Sequence, residues 1–480
     1  MNPKTLAIYN RLPASARSLV ASARGFRLRW RRYGADTDRM MADALERERW
    51  TQEQWTFWCK ERLRLLLCRA ATQVPYYRQL WADRRSRGDN SPWENLENWP
   101  ILDKESLRRQ PRLFVAGDSE RSRLTETHTS GSTGTPLTLW TTRCDEQSWY
   151  ALFEARCRNW YGVSRRDRWA ILGGQMVCPV ATRKPPFWVW NHGLSQLYMS
   201  TYHLAPDLIP DYLKALVRYR VRYVLGYPSA LHLLAQTALA EGFRDVKLRV
   251  VIANAEPLYD YQRSAIAEAF QCPVRETYGM SEKVAAASEC EHGGLHLWPE
   301  AGWVEVLDGD RAVPVGQVGD LICTGLVNSS MPLIRYRVGD RGVMEASGLA
   351  CPCGRTLPRL ARIEGRSDDL IYTIDGRSVG RLDPVFKAEW PIREAQIIQE
   401  SLVDIRLRLV PSDGFNDVVQ QEVTRELRAR LGNVNVRFEK LSEIPRGANG
   451  KFRSVVCNLP RAEKERLPPN WSTGETRMQS

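Results

Sequence analysis

The chain has 480 residues, 43% of them hydrophobic and 26% charged, with a net charge of +13. That length predicts two or three domains, the balance excludes a disordered chain, and no run of 18 uncharged apolar residues offers a transmembrane helix. Eleven cysteines at irregular spacing exclude a disulfide framework and indicate a reducing, cytoplasmic setting, and no charged start leads into the apolar core of a secretory signal.

Residues 1–35 hold eight basic side chains and no acid, interleaved with Leu6, Ile8, Leu12, Leu19, Val20, Phe26, Leu28 and Trp30. Such a stretch suits an anionic membrane surface. The plainer reading, a solvated arm folded over the main domain, carries more weight. A transit peptide fits less well, because no cleavage-like break follows, and nucleic-acid binding is not expected without a recognition motif. Residues 38–90 carry helical periodicity around Leu63, Leu66, Leu67 and Ala70, ending near Val74-Pro75-Tyr76-Tyr77. From about residue 120, β-rich runs such as Arg168–Gly173, Tyr223–Gly226 and Arg249–Ile252 alternate with helical segments, the pattern of an α/β layer. Gly302–Leu307, Gly319–Thr324 and Gly342–Glu345 predict a small β-subdomain. Beyond Gly365, strands at Ile397–Gln399, Asp404–Val410 and Val434–Glu439 with a helix at Val418–Leu431 predict a separate α+β domain. The expected layout is a basic arm (1–40), a large α/β domain (41–365), a smaller C-terminal domain (366–460) and a polar tail (461–480).

Four short segments carry chemistry. Thr127–Pro136 contains Ser130, Gly131, Ser132, Thr133, Gly134 and Thr135, small and hydroxylated residues whose free backbone N–H groups suit a polyphosphate. It is not a Walker A loop, since no lysine follows the second glycine. Glu276–Glu282 offers Tyr278 to stack on a base, Gly279, a Ser281 hydroxyl for a phosphate, and a Glu282 carboxylate for Mg²⁺. Arg335–Asp340 ends in Asp340, able to take two hydrogen bonds from a ribose diol. Pro445–Lys451 sets Lys451 on a glycine-bearing turn. Each alone is an ordinary loop; together, in this order, they are not an accident.

These segments resemble the adenylate-forming superfamily of acyl-CoA synthetases and adenylation domains, and within it the phenylacetate–CoA ligase family. The likeness runs from Val74–Arg78 to Lys451. A narrower likeness, on Arg29–Gly34 and Asp375–Phe386, is to the CapK-type branch associated with capsule and exopolysaccharide biosynthesis. The resemblance implies a large N-terminal α/β domain with a small β-subdomain and a mobile α+β lid. It implies ATP and Mg²⁺ as cofactors and a carboxylic acid substrate activated as acyl-AMP. Ser130–Thr135 would wrap the phosphates; Ala255, Glu256, Pro257 and Tyr278 would hold the adenine. Ser281 would contact phosphate or substrate, Glu282 would bind Mg²⁺, and Asp340 would hold the ribose. Arg366 would lie near the nucleotide, Asp368 would be the hinge, and Lys451 would reach the reacting phosphate and carboxylate.

The second half-reaction is less legible. The family's loop after the hinge faces the acyl acceptor; here Tyr372–Pro384 is longer and carries Arg377 and Arg381. CoA, a carrier protein or a sugar amine remain open as acceptors, and a catalytically silent membrane scaffold is disfavoured because Glu282, Asp340 and Lys451 are all present. Gly173–Gln175, Tyr202-His203, Gly226–Pro228 and Ala253-Asn254 are the candidate acyl-pocket segments. Cys290, His296, Cys351 and Cys353 are candidate ligands of a structural Zn²⁺, with His292 as a reserve. The alternative is two reduced cysteines beside a hairpin.

Overall fold

The computed structural model describes residues 8–129, 137–175, 177–179, 182–205, 207–346, 348–366, 371–374, 378–379, 382, 390–446, 452–460 and 463. It divides into two compact units. One comprises the chain to Val338 with Gly342–Ile363; the other is the chain from Glu364 with Gly339–Arg341.

The first unit begins with helices whose ends are written locally. Residues 8–11 are helical, and Ala14–Arg32 follows Pro13. Gln52–Gln73 starts from a Thr51/Gln54 capping box, which satisfies two otherwise orphan N–H groups. Val74 is extended, as a residue before proline should be, and Pro75 opens the next helix, Pro75–Ser86. The helical run expected to end near Val74 therefore ends there and restarts at once.

A 13-stranded sheet follows. Trp169–Gly173, Gln196–Ser200, Tyr223–Gly226, Val250–Asn254 and Val274–Gly279 are mutually parallel, with helices Ile209–Arg218, Pro228–Ala240 and Asp260–Phe270 as crossovers. Their side chains bury on both faces: Tyr223–Gly226 is buried throughout. Ala286–Glu289 then runs antiparallel to Val274–Gly279, and Leu295–Leu297 antiparallel to that. The strands Gly302–Asp308, Val318–Gly325 and Tyr336–Met344 continue the same sheet. One apolar core lies around the parallel half, including Leu172, Leu197, Leu231 and Val251; another joins Leu67, Trp99 and Phe114 to Leu321 and Tyr336.

In the second unit, Ile392–Gln399, Asp404–Pro411, Asn435–Lys440 and Val455–Cys457 form a four-stranded sheet in the order third, second, first, fourth. The helix Asp417–Leu431, capped by Asn416, covers it through Val423, Leu427 and Leu431. This is the expected α+β arrangement.

Charge is buried where the first unit's helices meet its sheet. Arg156 is fully buried and holds Glu300 through two bonds of 2.6 and 2.8 Å; Arg47 adds a third at 3.0 Å. Burial alone would raise the Glu300 carboxyl, but Arg156 and then Arg47 more than offset it and hold it below its ordinary value. Such a pair fixes which helix sits where, since either partner alone would be a costly buried charge.

His232, on helix Pro228–Ala240, is buried edge-on to Tyr261, and burial pushes its imidazole down to about 4. In the unfolded chain the same group titrates near 6.5, so between those values the unfolded state binds the extra proton and stability falls as pH falls. Denaturant unfolding is expected to lose about 2 kcal/mol from this group between pH 7 and pH 5. His232→Gln should flatten that part of the profile; an unchanged slope would contradict it.

Candidate active site

Parallel strands leave their carboxyl ends as an open edge, and ligands of α/β sheets bind there where the strand order reverses. Here Trp169–Gly173 is flanked by Gln196–Ser200 on one side and Tyr223–Gly226 on the other, so the chain reverses across it. The four acyl-pocket segments expected from sequence all lie at this edge. Tyr202 donates to the Gly174 carbonyl at 3.0 Å, the Gln175 N–H donates to the Tyr198 hydroxyl at 3.0 Å, and Thr201 donates to the Gly173 carbonyl. Burial raises the phenols of Tyr198, Tyr202 and Tyr227, so all three stay neutral donors at pH 7. Asn254, last residue of its strand, keeps a buried side-chain oxygen with no partner among the described residues.

The residues expected from sequence to hold the nucleotide sit on the two neighbouring strand ends. Ala255 follows Asn254 with φ of 66°, a left-handed turn. Glu256 turns back to accept from the Ser229 N–H at 3.1 Å, at the start of helix Pro228–Ala240, where an acidic group suits the helix dipole. Tyr278 and Gly279 end the adjacent strand, Tyr278 half-buried and opposite Ala287. Thr277 ties the two strand ends together by donating to the Ala253 carbonyl at 3.1 Å.

The turn that follows carries Ser281, exposed, and Glu282, half-buried. Tyr336 donates its hydroxyl to Glu282 at 3.0 Å. A carboxylate accepts up to four hydrogen bonds or metal contacts, so this one orients Glu282 without exhausting it. Lys283 has φ of 56° and its ammonium pairs with Glu146, on the helix Arg143–Cys157. Burial lowers the Lys283 ammonium despite Glu146. Arg31 lies 3.8 Å from the same carboxylate. Sequence reading missed Tyr336, Lys283 and Glu146. Tyr336 and Lys283 lie within or beside the quoted motifs, yet nothing local says where their side chains point.

The remaining expected residues are placed unevenly. Thr129 and Leu137 exchange two hydrogen bonds, at 3.0 and 2.9 Å, but Ser130, Gly131, Ser132, Thr133, Gly134 and Thr135 between them lie outside the described residues. Asp340 follows Gly339, whose φ is 86°, in the strand Tyr336–Met344, and belongs to the second compact unit. Arg366 ends the strand Arg359–Arg366, with its side chain not described. Asp368, Arg377, Arg381 and Lys451 lie outside the described residues.

A second cluster stands apart. Cys290, His296, Cys351 and Cys353 place their donor atoms within 4.8 Å of one another. Cys290 opens a turn closed by its N–H on the Gly294 carbonyl at 2.8 Å, which brings His296 back beside it; His292 stays exposed on the turn. The cysteine sulfurs of Cys290 and Cys351 are 3.7 Å apart, and Cys353 Sγ is 3.4 Å from His296 Nε2. The other ring nitrogen of His296 lies 3.2 Å from the Leu357 carbonyl, which makes Nε2 the lone-pair side. Burial pushes His296 down to about 4, so it is neutral. Burial would raise the Cys351 thiol, but hydrogen bonds led by those from Cys353 bring it below its ordinary value. A Cβ on Gly294 would come within 3.3 Å of both Cys351 Sγ and His296 Nε2, so any larger residue there would press on two of the four donors.

An open parallel sheet edge carrying a stackable tyrosine, an oriented carboxylate and a ring of neutral phenols defines a nucleotide-using enzyme of the α/β class. The AMP-binding enzyme family matches residues 88–330 and the CapK C-terminal domain matches residues 371–458. The chain belongs to the AMP-binding, adenylate-forming enzymes, in the group that holds CapK and the phenylacetate–CoA ligases. It is 26% identical over 390 residues to Protein CapK of Staphylococcus aureus, covering 80% of this chain and 85% of that protein. It is 24% identical over 444 residues to the phenylacetate-coenzyme A ligase of Thermus thermophilus, covering 83% and 95%. Among solved structures, 2-hydroxyisobutyryl-CoA ligase in its postadenylation state shares the fold, with a TM-score of 0.63, 23% identity and coverage of 85% of this chain and 90% of that one.

The Lys283–Glu146 pair is expected to set the turn that carries Glu282. Glu146→Ala would strand a largely buried ammonium and cost about 3 kcal/mol, whereas Glu146→Ala with Lys283→Ala would cost less than the single change. Equilibrium unfolding of the single and double variants measures the coupling; additive losses would contradict it.

Proposed function

We propose that the enzyme uses ATP to convert a carboxylic acid to acyl-AMP with release of pyrophosphate, then passes the acyl group to a thiol such as CoA. The observation that carries this is Glu282, held by Tyr336 on the turn that follows the Tyr278 strand end, on the same sheet whose parallel strand ends carry the phenols. The acid would enter among Tyr198, Tyr202 and Tyr227, with the Asn254 side-chain oxygen available to a polar substituent. A small aromatic or hydroxylated acid suits that lining better than a long acyl chain.

Attack of a carboxylate on the α-phosphorus brings two anions together, so cationic help and positioning dominate the chemistry. Mg²⁺, when bound, would offset phosphate charge, and Glu282 is the residue that would hold it. Ser130–Thr135 would supply N–H donors, Tyr278 and Ala255–Pro257 would frame the base, and Ser281 would touch a phosphate or the substrate. Asp340 would take the ribose, with Arg366 nearby. Lys451 would bridge the attacking carboxylate and the α-phosphate. Because Asp368 is the proposed hinge between residues 41–365 and 366–460, Lys451 would be withdrawn for the second step. A carrier protein or a sugar amine in polysaccharide assembly are the other acceptors in view, and Arg377 and Arg381 favour a phosphorylated one.

Hydroxylamine trapping across a panel of carboxylic acids tests the first step. An acid-dependent hydroxamate with pyrophosphate release is expected, Lys451→Ala should abolish it, and nucleotide binding should survive. Near wild-type adenylation in that variant would remove Lys451 from the mechanism. Acceleration by CoA decides the acceptor.

The Cys290, His296, Cys351 and Cys353 cluster is proposed as a structural Zn²⁺ site. Three thiolates with one neutral imidazole suit zinc, and four protein ligands leave no open position for substrate. Elemental analysis of protein purified without chelator should give about one zinc per chain. Cys351→Ser with Cys353→Ser should abolish it and lower the unfolding temperature; metal-free wild-type protein would refute the site.

A further inference from the structure

The helix Ala14–Arg32 is mounted in an unusual sense. Its buried residues are Arg17, Ser22 and Gly25, two of them small and Arg17 bonded to the Val177 carbonyl at 3.3 Å. Ser22 is buried and bonds to the Trp190 carbonyl, Ser18 accepts from the Trp190 N–H, and Gly25 lies so close to Asn191 that any side chain there would overlap it. Gly193 meets the backbone of Gly25 and Phe26 equally closely. The helix is therefore held by close backbone approach, not by apolar packing.

Four of its large apolar residues face solvent instead, while Leu28 is half-buried. Leu19, Phe26 and Trp30 are 70%, 56% and 59% exposed. With Ala23 between them, their spacing of four, three and four residues puts them on one stripe. Val20 lies beside that stripe, 45% exposed, and Arg24, Arg27 and Arg29 flank it, all exposed. Next to the helix, a groove of about 580 Å³ is lined by Trp190 and Tyr219, which stack at 5.2 Å. Arg168 lies 5.9 Å over Trp190 and Arg218 lies 6.0 Å over Tyr219. Exposed apolar stripe, flanking arginines and adjacent aromatic–arginine pairs form one continuous surface.

We infer that this face docks the enzyme flat on an anionic lipid surface. Leu19, Phe26 and Trp30 would enter the headgroup layer, and the arginines would meet lipid phosphates. Charge selects the occupant: Arg24, Arg27 and Arg29 are exposed beside the stripe, and Arg168 and Arg218 sit at the adjoining groove, so a second copy of the same face would be repelled and a negatively charged surface attracted. No helix among the described residues is long and apolar enough to cross a membrane, so the contact is interfacial. The inference stands apart from the adenylation reading and does not depend on it.

The full-length protein is mixed with phosphatidylcholine vesicles, with and without phosphatidylglycerol, and sedimented. Binding to the anionic vesicles alone is expected, weakening as salt rises. Leu19→Ser with Phe26→Ser should lower partitioning by at least about tenfold. Arg24→Gln and Arg27→Gln should each lower it about fivefold. These positions are exposed, and circular dichroism with a thermal melt confirms that each variant folds. Equal binding to neutral and anionic vesicles, no binding to either, or variants that bind like wild type would each overturn the inference. So would light scattering showing a dimer that Phe26→Ser abolishes, without lipid binding.

Discussion

The site depends on a single change of direction in the large sheet. Val274–Gly279 is parallel to its neighbour on one side and antiparallel on the other. Parallel pairing aligns its carboxyl end with those of four other strands, which opens a shared edge. Antiparallel pairing forces the chain to turn immediately, which delivers Ser281 and Glu282 to that edge. Lys283, left-handed and paired with Glu146, holds the turn against the helix Arg143–Cys157. Without the switch from parallel to antiparallel, the Glu282 carboxylate and Tyr278 would not share an edge.

The same meander separates two jobs. From the Glu282 turn the chain descends four residues, Ala286–Glu289, and turns again at Cys290. Four extended residues span about 14 Å, so the cysteine–histidine cluster and the carboxylate lie at opposite ends of one strand. That distance sets the cluster apart from the Glu282 turn. It pins the turn Cys290–Gly294 to Cys351 and Cys353, and Arg355 carries the linkage on to Glu48 at 3.2 Å. Glu48 in turn contacts Arg156, the centre of the buried ion network. Helices, sheet and knuckle are thus joined by polar groups that are each satisfied only in one arrangement.

The N-terminal helix shows how one segment can meet two demands. Its small face allows backbone-close mounting on Asn191–Gly193, and that leaves the large apolar side chains nothing to cover inside. Arg31, near its end, reaches Glu146 and so touches the pair that positions the Glu282 turn. The N-terminal helix and the turn that carries Glu282 thus share one carboxylate between them.

The sequence by itself determined the family chemistry and most of the elements. Hydrophobic period and turn residues placed the strands at Tyr223–Gly226 and Asp404–Val410 within a residue or two, because those signals are local. Ordered motifs such as Glu276–Glu282 announced an adenylate-forming enzyme, because the reaction needs those functional groups whatever surrounds them. Sequence already prefers His296 over His292 beside the three cysteines, and the structure groups those four donors; only the tertiary structure decided that Tyr336 orients Glu282 and that Glu146 answers Lys283. It also decided that the stripe Leu19, Phe26 and Trp30 faces outward. Composition records how many apolar and basic residues a segment holds. Which of them is buried depends on what packs against it, and that partner lies more than a hundred residues away in the chain.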